Sequence, residues 1–82
     1  MQKLIELNFY HTKHCHLCEL AENLIKQHKN IKLNLIDIAD NNKLLNLYGV
    51  RIPVLQRTDL LHEIDWPFTQ EQILLLIQKS SL

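Results

Sequence analysis

The chain has 82 residues, 46% of them hydrophobic, and its nine Lys and Arg balance nine Asp and Glu, so its formal net charge is zero at pH 7. That length fits one domain, residues 1–82, with little core to spare. The composition argues against a disordered chain, and a neutral chain lacks the basic field that nucleic acid phosphates require.

The longest unbroken apolar run, ILLLI at 73–77, is too short to cross a membrane. The opening MQKLIELNFY carries charge inside its apolar run and no small-residue cleavage site, so it reads as a strand and not as a secretion signal. The expected location is a reducing cytoplasm, where a close cysteine pair is more often redox-active or metal-binding than a structural staple.

In chain order, residues 3–10 place Ile5, Leu7 and Phe9 on one face and Leu4 and Tyr10 on the other, as in a strand covered on both sides. The stretch CHLCELAENLIKQH predicts an amphipathic helix with Leu17, Leu20, Ala21, Leu24 and Ile25 inward. Residues 31–38 alternate Ile31, Leu33 and Leu35 with polar residues, giving a second strand parallel to the first through a right-handed crossover.

A short helix follows, with Asp40 as its cap, Leu44, Leu45 and Tyr48 along it, Gly49 as a left-handed C′ residue and Val50 reaching back to Leu45. PVLQR and LLHEID then read as two strands joined by a tight turn near Thr58 and Asp59. The last helix has a full start signal: Thr69 as N-cap, Gln72 closing a capping box and Phe68 stapling to Ile73, with the helix running to about Lys79. Leu74, Leu75 and Leu76 cannot all face one core. The order is β-α-β-α-β-β-α.

The chemistry sits in HTKHCHLCEL, residues 11–20, which holds both cysteines of the chain. Their spacing fits a redox couple, half of a metal site, or two small apolar neighbours. A structural zinc site wants four ligands, and only one cysteine pair exists; His14 and His16 flank Cys15 too tightly for all to face one ion. His28 and His62 are expected to face solvent.

Cys15, at the start of a helix, meets unpaired N–H groups and the positive end of the helix dipole, both favouring a thiolate. Cys18, one turn on, is sheltered and within bonding reach. Lowering a thiol pKa from about 8.5 to about 6.5 raises its thiolate fraction at pH 7 from ~3% to ~76%. Reduced intrinsic nucleophilicity takes back most of that gain, leaving about two- to threefold in the rate of attack.

YGVRIPVL, residues 48–55, adds a proline at the start of a strand. Base rate favours a trans Ile52-Pro53 bond, but a cis bond would turn the backbone so that Ile52 presents its N–H and C=O to a partner chain.

NFYHTKHCHLC leading into a helix, followed by YGVRIPVL, two strands and a helix, resembles the thioredoxin superfamily, and within it the small bacterial glutaredoxin-like proteins. The resemblance covers nearly the whole chain. It implies an α/β, thioredoxin-like fold, with a four-stranded mixed sheet and helices on both faces. The activity it implies is thiol-disulfide exchange, with Cys15 as nucleophile, Cys18 as resolving cysteine and Pro53 as the cis-proline. Arg51, Ile52 and His16 then fall beside the substrate.

No bound cofactor or metal is expected from the likeness. The partners it implies are protein disulfides or glutathione mixed disulfides, with glutathione a candidate co-substrate and the protein a monomer or weak dimer. Where glutaredoxins carry a Gly-Gly-Asp-like segment, this chain has IDWPFTQ. Trp66 and Pro67 would crowd a peptide approaching there, while Thr69 or the N–H groups of the last helix offer a place for a carboxylate. The alternative is a metal or iron-sulfur module using the same cysteines, completed by His14, His16 or a second subunit.

Overall fold

The computed structural model describes residues 4–79. Its elements are β1 (Ile5–His11), α1 (His16–Ile25), β2 (Ile31–Asp37), α2 (Asn42–Tyr48), β3 (Val54–Arg57), β4 (Glu63–Asp65) and α3 (Gln70–Gln78), in the order the sequence predicts. The expected first position of β1, Lys3, lies outside the described residues.

The four strands form one mixed sheet in the order β2-β1-β3-β4. β1 pairs parallel with β2, Leu7 opposite Leu33 and Phe9 opposite Leu35. β1 also pairs antiparallel with β3, and β3 antiparallel with β4. Because successive strand residues face opposite sides, β1 divides its side chains between two cores. Leu7 and Phe9 join Cys18, Ala21 and Ile25 of α1 and Ile73 and Leu76 of α3 in the larger cluster. Tyr10 joins Ile38, Tyr48 and Val54 on the opposite side, under α2. Helices therefore cover both faces, and β1 lies between them.

Three local expectations need correction. Leu17 and Leu20 are exposed, because the buried stripe of α1 is centred on Cys18, Ala21 and Ile25. Cys18 takes the central position that a reading by large aliphatics gives to its neighbours. The cap of α2 is Asn41, whose Oδ1 accepts from the Leu44 N–H at 3.0 Å; Asp40 stands one residue too early. Gly49 is right-handed, with φ −52°, and Val50 is fully exposed instead of reaching back to Leu45. The glycine is needed for space: a Cβ there would stand 2.5 Å from the Leu45 carbonyl oxygen.

The β3–β4 connection is also longer than a tight turn. Arg57 N–H donates to the His62 carbonyl at 2.9 Å, enclosing Thr58–Leu61, and Leu61 takes the left-handed conformation with φ 60°. α3 begins as its sequence requires. Thr69 Oγ1 accepts from Gln72 N–H at 3.1 Å while Gln72 Oε1 accepts from Thr69 N–H at 2.8 Å. Phe68 and Ile73 are buried in one cluster, as a staple predicts. Of the three adjacent leucines, Leu76 is buried and Leu74 and Leu75 are exposed.

Arg57 is the one buried charged side chain among the described residues, 2% exposed. Its register opposite Leu7 places it on the α1/α3 side of the sheet. There its Nη1 donates to the carbonyls of Leu76 at 3.1 Å and Lys79 at 2.6 Å, satisfying acceptors that the end of α3 leaves unpaired. The rest of the guanidinium forks onto the Asp59 carboxylate, at 2.9 and 2.6 Å. No helix among the described residues is long and apolar enough to cross a membrane.

Candidate active site

The site lies where β1 hands the chain to α1. Past His11, His14 takes a left-handed conformation with φ 57°, and the next residue, Cys15, is extended and serves as N-cap of α1. Histidine, with Asn and Asp, is enriched in the left-handed region, so His14 suits its place, whereas cysteine is not among the favoured N-caps. Cys15 Sγ accepts a hydrogen bond from the Cys18 N–H at 3.1 Å, taking the role that a hydroxyl or carboxylate oxygen fills in an ordinary cap. Cys15 thus sits one position ahead of the first helical turn, where the sequence alone had put it within that turn. Its sulfur still meets the free N–H end of the helix.

Cys15 and Cys18 are joined as a disulfide, with Cα atoms 5.2 Å apart. Cys18 is 4% exposed inside the larger core cluster, and Cys15 is half-buried against its edge. The difference follows from position: the cap faces outward at the helix end, while the residue one turn on faces the sheet. Lys13, His14 and His16 are all exposed around Cys15, and His16 lies 4.0 Å from the equally exposed Glu19.

The Ile52-Pro53 peptide bond is cis, and Pro53 is buried at the start of β3. Ile52 packs against both core clusters, and Cys15, Ile52 and Trp66 all pack against the one that holds Cys18. The expected donor is not free, however. Ile52 N–H donates to the Tyr48 carbonyl at 3.0 Å, alongside the Arg51 N–H at 2.8 Å. Among the described residues no hydrogen bond reaches the Ile52 carbonyl.

Arg51, expected beside the substrate, has its guanidinium engaged within the chain. Nε and Nη2 form a fork on Asp65, at 3.0 and 2.9 Å, and Nη2 also donates to Glu63 at 2.5 Å. That pairing holds the Asp65 carboxyl below its ordinary range. A role in binding a substrate carboxylate would have to compete with both partners.

Trp66 is a feature the motif reading undervalued. A second cis bond joins it to Pro67, its N–H donates to the Pro53 carbonyl at 3.0 Å, and its ring meets Phe68 edge-on at 5.2 Å. Thr69, considered as a carboxylate holder, has both its hydroxyl and its N–H engaged in the capping box. His62 is exposed, as expected, whereas His28 is half-buried and bonded to Gln70. Among the described residues, no group of three or more His, Cys, Asp or Glu stands together as a metal site.

Residues 6–78 match the family model described as a glutaredoxin-like domain (DUF836). The chain belongs to that family. No curated protein matches it. Two solved structures of one X. campestris protein, the structural genomics target XcR50, are similar to this glutaredoxin-like domain at 33% identity. The X-ray structure has a TM-score of 0.75 over 82% of this chain and 88% of that one. The solution structure has 0.72 over 82% and 85%. The mixed four-stranded sheet, its helices and these neighbours together show a thioredoxin-like fold. A glutaredoxin-like domain with a Cys15–Cys18 pair supports a redox-type function.

Proposed function

We propose that the protein is a thiol-disulfide oxidoreductase acting on protein disulfides or glutathione mixed disulfides. The observation that carries this reading is the unequal placement of the two sulfurs: one caps a helix at the surface, the other is buried one turn away and already bonded to it.

In the reduced protein the Cys15 thiolate attacks one sulfur of a substrate disulfide. A Cys15–substrate disulfide forms, and the other substrate sulfur leaves as a thiolate that takes up a proton. Cys18, losing its proton, then attacks Cys15 Sγ. The mixed disulfide breaks, the second substrate thiol is released, and Cys15 and Cys18 are left joined. Two electrons have passed from the dithiol to the substrate, and an external thiol or dithiol reductant must return them.

The cap hydrogen bond assists the first step, because an N–H donor bonds a sulfur anion more strongly than a neutral sulfur. It favours Cys15 as the attacking thiolate, while the thiolate that leaves when Cys18 attacks Cys15 Sγ is the substrate's. Leu17 and Leu20, exposed on the helix that carries the pair, offer apolar contact to a protein substrate. The Ile52 carbonyl offers a hydrogen-bond acceptor to an approaching backbone. Glutathione remains a proposed co-substrate, and Trp66 packs on the same core cluster as Cys15. A reducing, cytoplasmic setting suits this direction of electron flow.

The test is a trap with a defined peptide disulfide. A Cys18→Ser variant should accumulate a peptide adduct on Cys15 that dithiothreitol releases, and a Cys15→Ser variant should accumulate none. No adduct on Cys15 would overturn the reading.

A further inference from the structure

The segment between α2 and β3 has no regular structure of its own, yet it carries Ile52 to the core cluster on which Cys15 packs. Backbone bonds from Arg51 and Ile52 to the Tyr48 carbonyl and from the Trp66 backbone N–H to the Pro53 carbonyl hold it, and one side chain adds a tie to the sheet edge. Arg51 reaches across to β4, where the fork on Asp65 and the bond to Glu63 fix its guanidinium from two sides. Its Nη1 donates to the Leu47 carbonyl at 3.4 Å, and its Cζ lies 5.1 Å from the centre of the Tyr48 ring. Tyr48 is fixed in turn: its hydroxyl donates to the other Glu63 oxygen at 2.6 Å, and its ring stacks on Tyr10 of β1 at 4.1 Å. Both carboxylates belong to an edge strand of only three residues, so the guanidinium ties that edge to the end of α2.

Pairs this exposed contribute little to global stability. A planar fork gripping two carboxylates does fix geometry, which a flexible ammonium cannot do in the same way. We propose that Arg51 is a positioning residue, whose fork on Asp65 and bond to Glu63 hold the Ile52-Pro53 segment at the spacing from Cys15 that a substrate backbone needs. The proposal rests on the oxidoreductase reading and adds a role for a residue that makes no contact with the reacting sulfurs.

The experiment is steady-state reduction of a peptide disulfide by the full chain, with dithiothreitol as reductant, for the unaltered protein and for Arg51→Gln, Arg51→Lys and Asp65→Asn. Small misplacements remote from the chemistry cost up to about 100-fold. The expected result is a KM raised about tenfold in Arg51→Gln with kcat within about twofold, a smaller rise in Asp65→Asn, and no rescue by Arg51→Lys. The pH midpoint for alkylation of Cys15 should stay where it is in the unaltered protein.

Unchanged KM in both Arg51→Gln and Asp65→Asn would overturn the proposal. So would a fall in kcat that tracks a moved alkylation midpoint, since that would make Arg51 part of the thiol's own electrostatics or of general folding. Full rescue by lysine would also overturn it, by showing that charge suffices. An unaltered protein that reduces no peptide disulfide would instead remove the oxidoreductase reading beneath it.

Discussion

The backbone N–H of Cys18 donates to the sulfur of Cys15 at 3.1 Å, so the second cysteine of the pair supplies the hydrogen bond that tunes the first. The two residues are bonded through sulfur and through the cap together. Sequence spacing allows the first of these bonds, and the second depends on the helix beginning one residue after Cys15.

That arrangement predicts unequal reactivity. In the reduced protein, Cys15 should react with iodoacetamide faster than Cys18 by on the order of tenfold or more, because thiolate character and access both favour it. Fragmentation of the tryptic peptide 14–26, which carries both cysteines, after brief alkylation measures the ratio. Equal labelling would contradict the burial difference.

Arg57 should matter more for stability than any other charged side chain described. Replacing it by Ala leaves the carbonyls of Leu76 and Lys79 without their buried donor, at a cost of about 2–3 kcal/mol. Arg57→Lys should recover only part of this, since one ammonium cannot serve both the carbonyls and the Asp59 carboxylate in the same geometry. Urea unfolding curves give both numbers.

Acid should weaken the fold through three carboxylates, one of them Asp37, which the Ala39 N–H holds below its ordinary range. Hydrogen bonds from Arg57 hold Asp59 below its ordinary range, and hydrogen bonds from Arg51 do the same for Asp65. A carboxyl depressed in the folded state lends stability that is fully present above its unfolded value of about 3.9, and that stability is lost as pH falls through the folded value. The urea midpoint should therefore fall below about pH 4, and Asp65→Asn should make that fall shallower. A slope unchanged by the substitution would contradict the pairing.

Thr69→Ala should cost about 1 kcal/mol by removing the cap of α3. The loss should be visible in urea unfolding without any change in Cys15 alkylation.

Elements whose signal is local were legible in the sequence. The capping box of Thr69 and Gln72 needs only two residues at the right spacing, and strand β1 shows its two faces through simple alternation. The cysteine pair and Ile52-Pro53 were legible as a combination. What was hidden depended on space or on partners distant in the chain. Gly49 looked like a left-handed terminator, but it is small because the Leu45 carbonyl leaves no room for a side chain. Arg51 looked available to a substrate because its partners, Glu63 and Asp65, come from a strand twelve and fourteen residues on. Cys15 as an N-cap could not be read, since sulfur is not among the favoured capping atoms.

In the reduced protein the start of α1 should hold the Cys15 sulfur as an anion. The rate of Cys15 alkylation as a function of pH in the Cys18→Ser protein reads that charge without an intermediary. A rate midpoint at least about one unit below the ordinary thiol value of about 8.5 is the predicted result. A midpoint at or above that ordinary value would contradict the account.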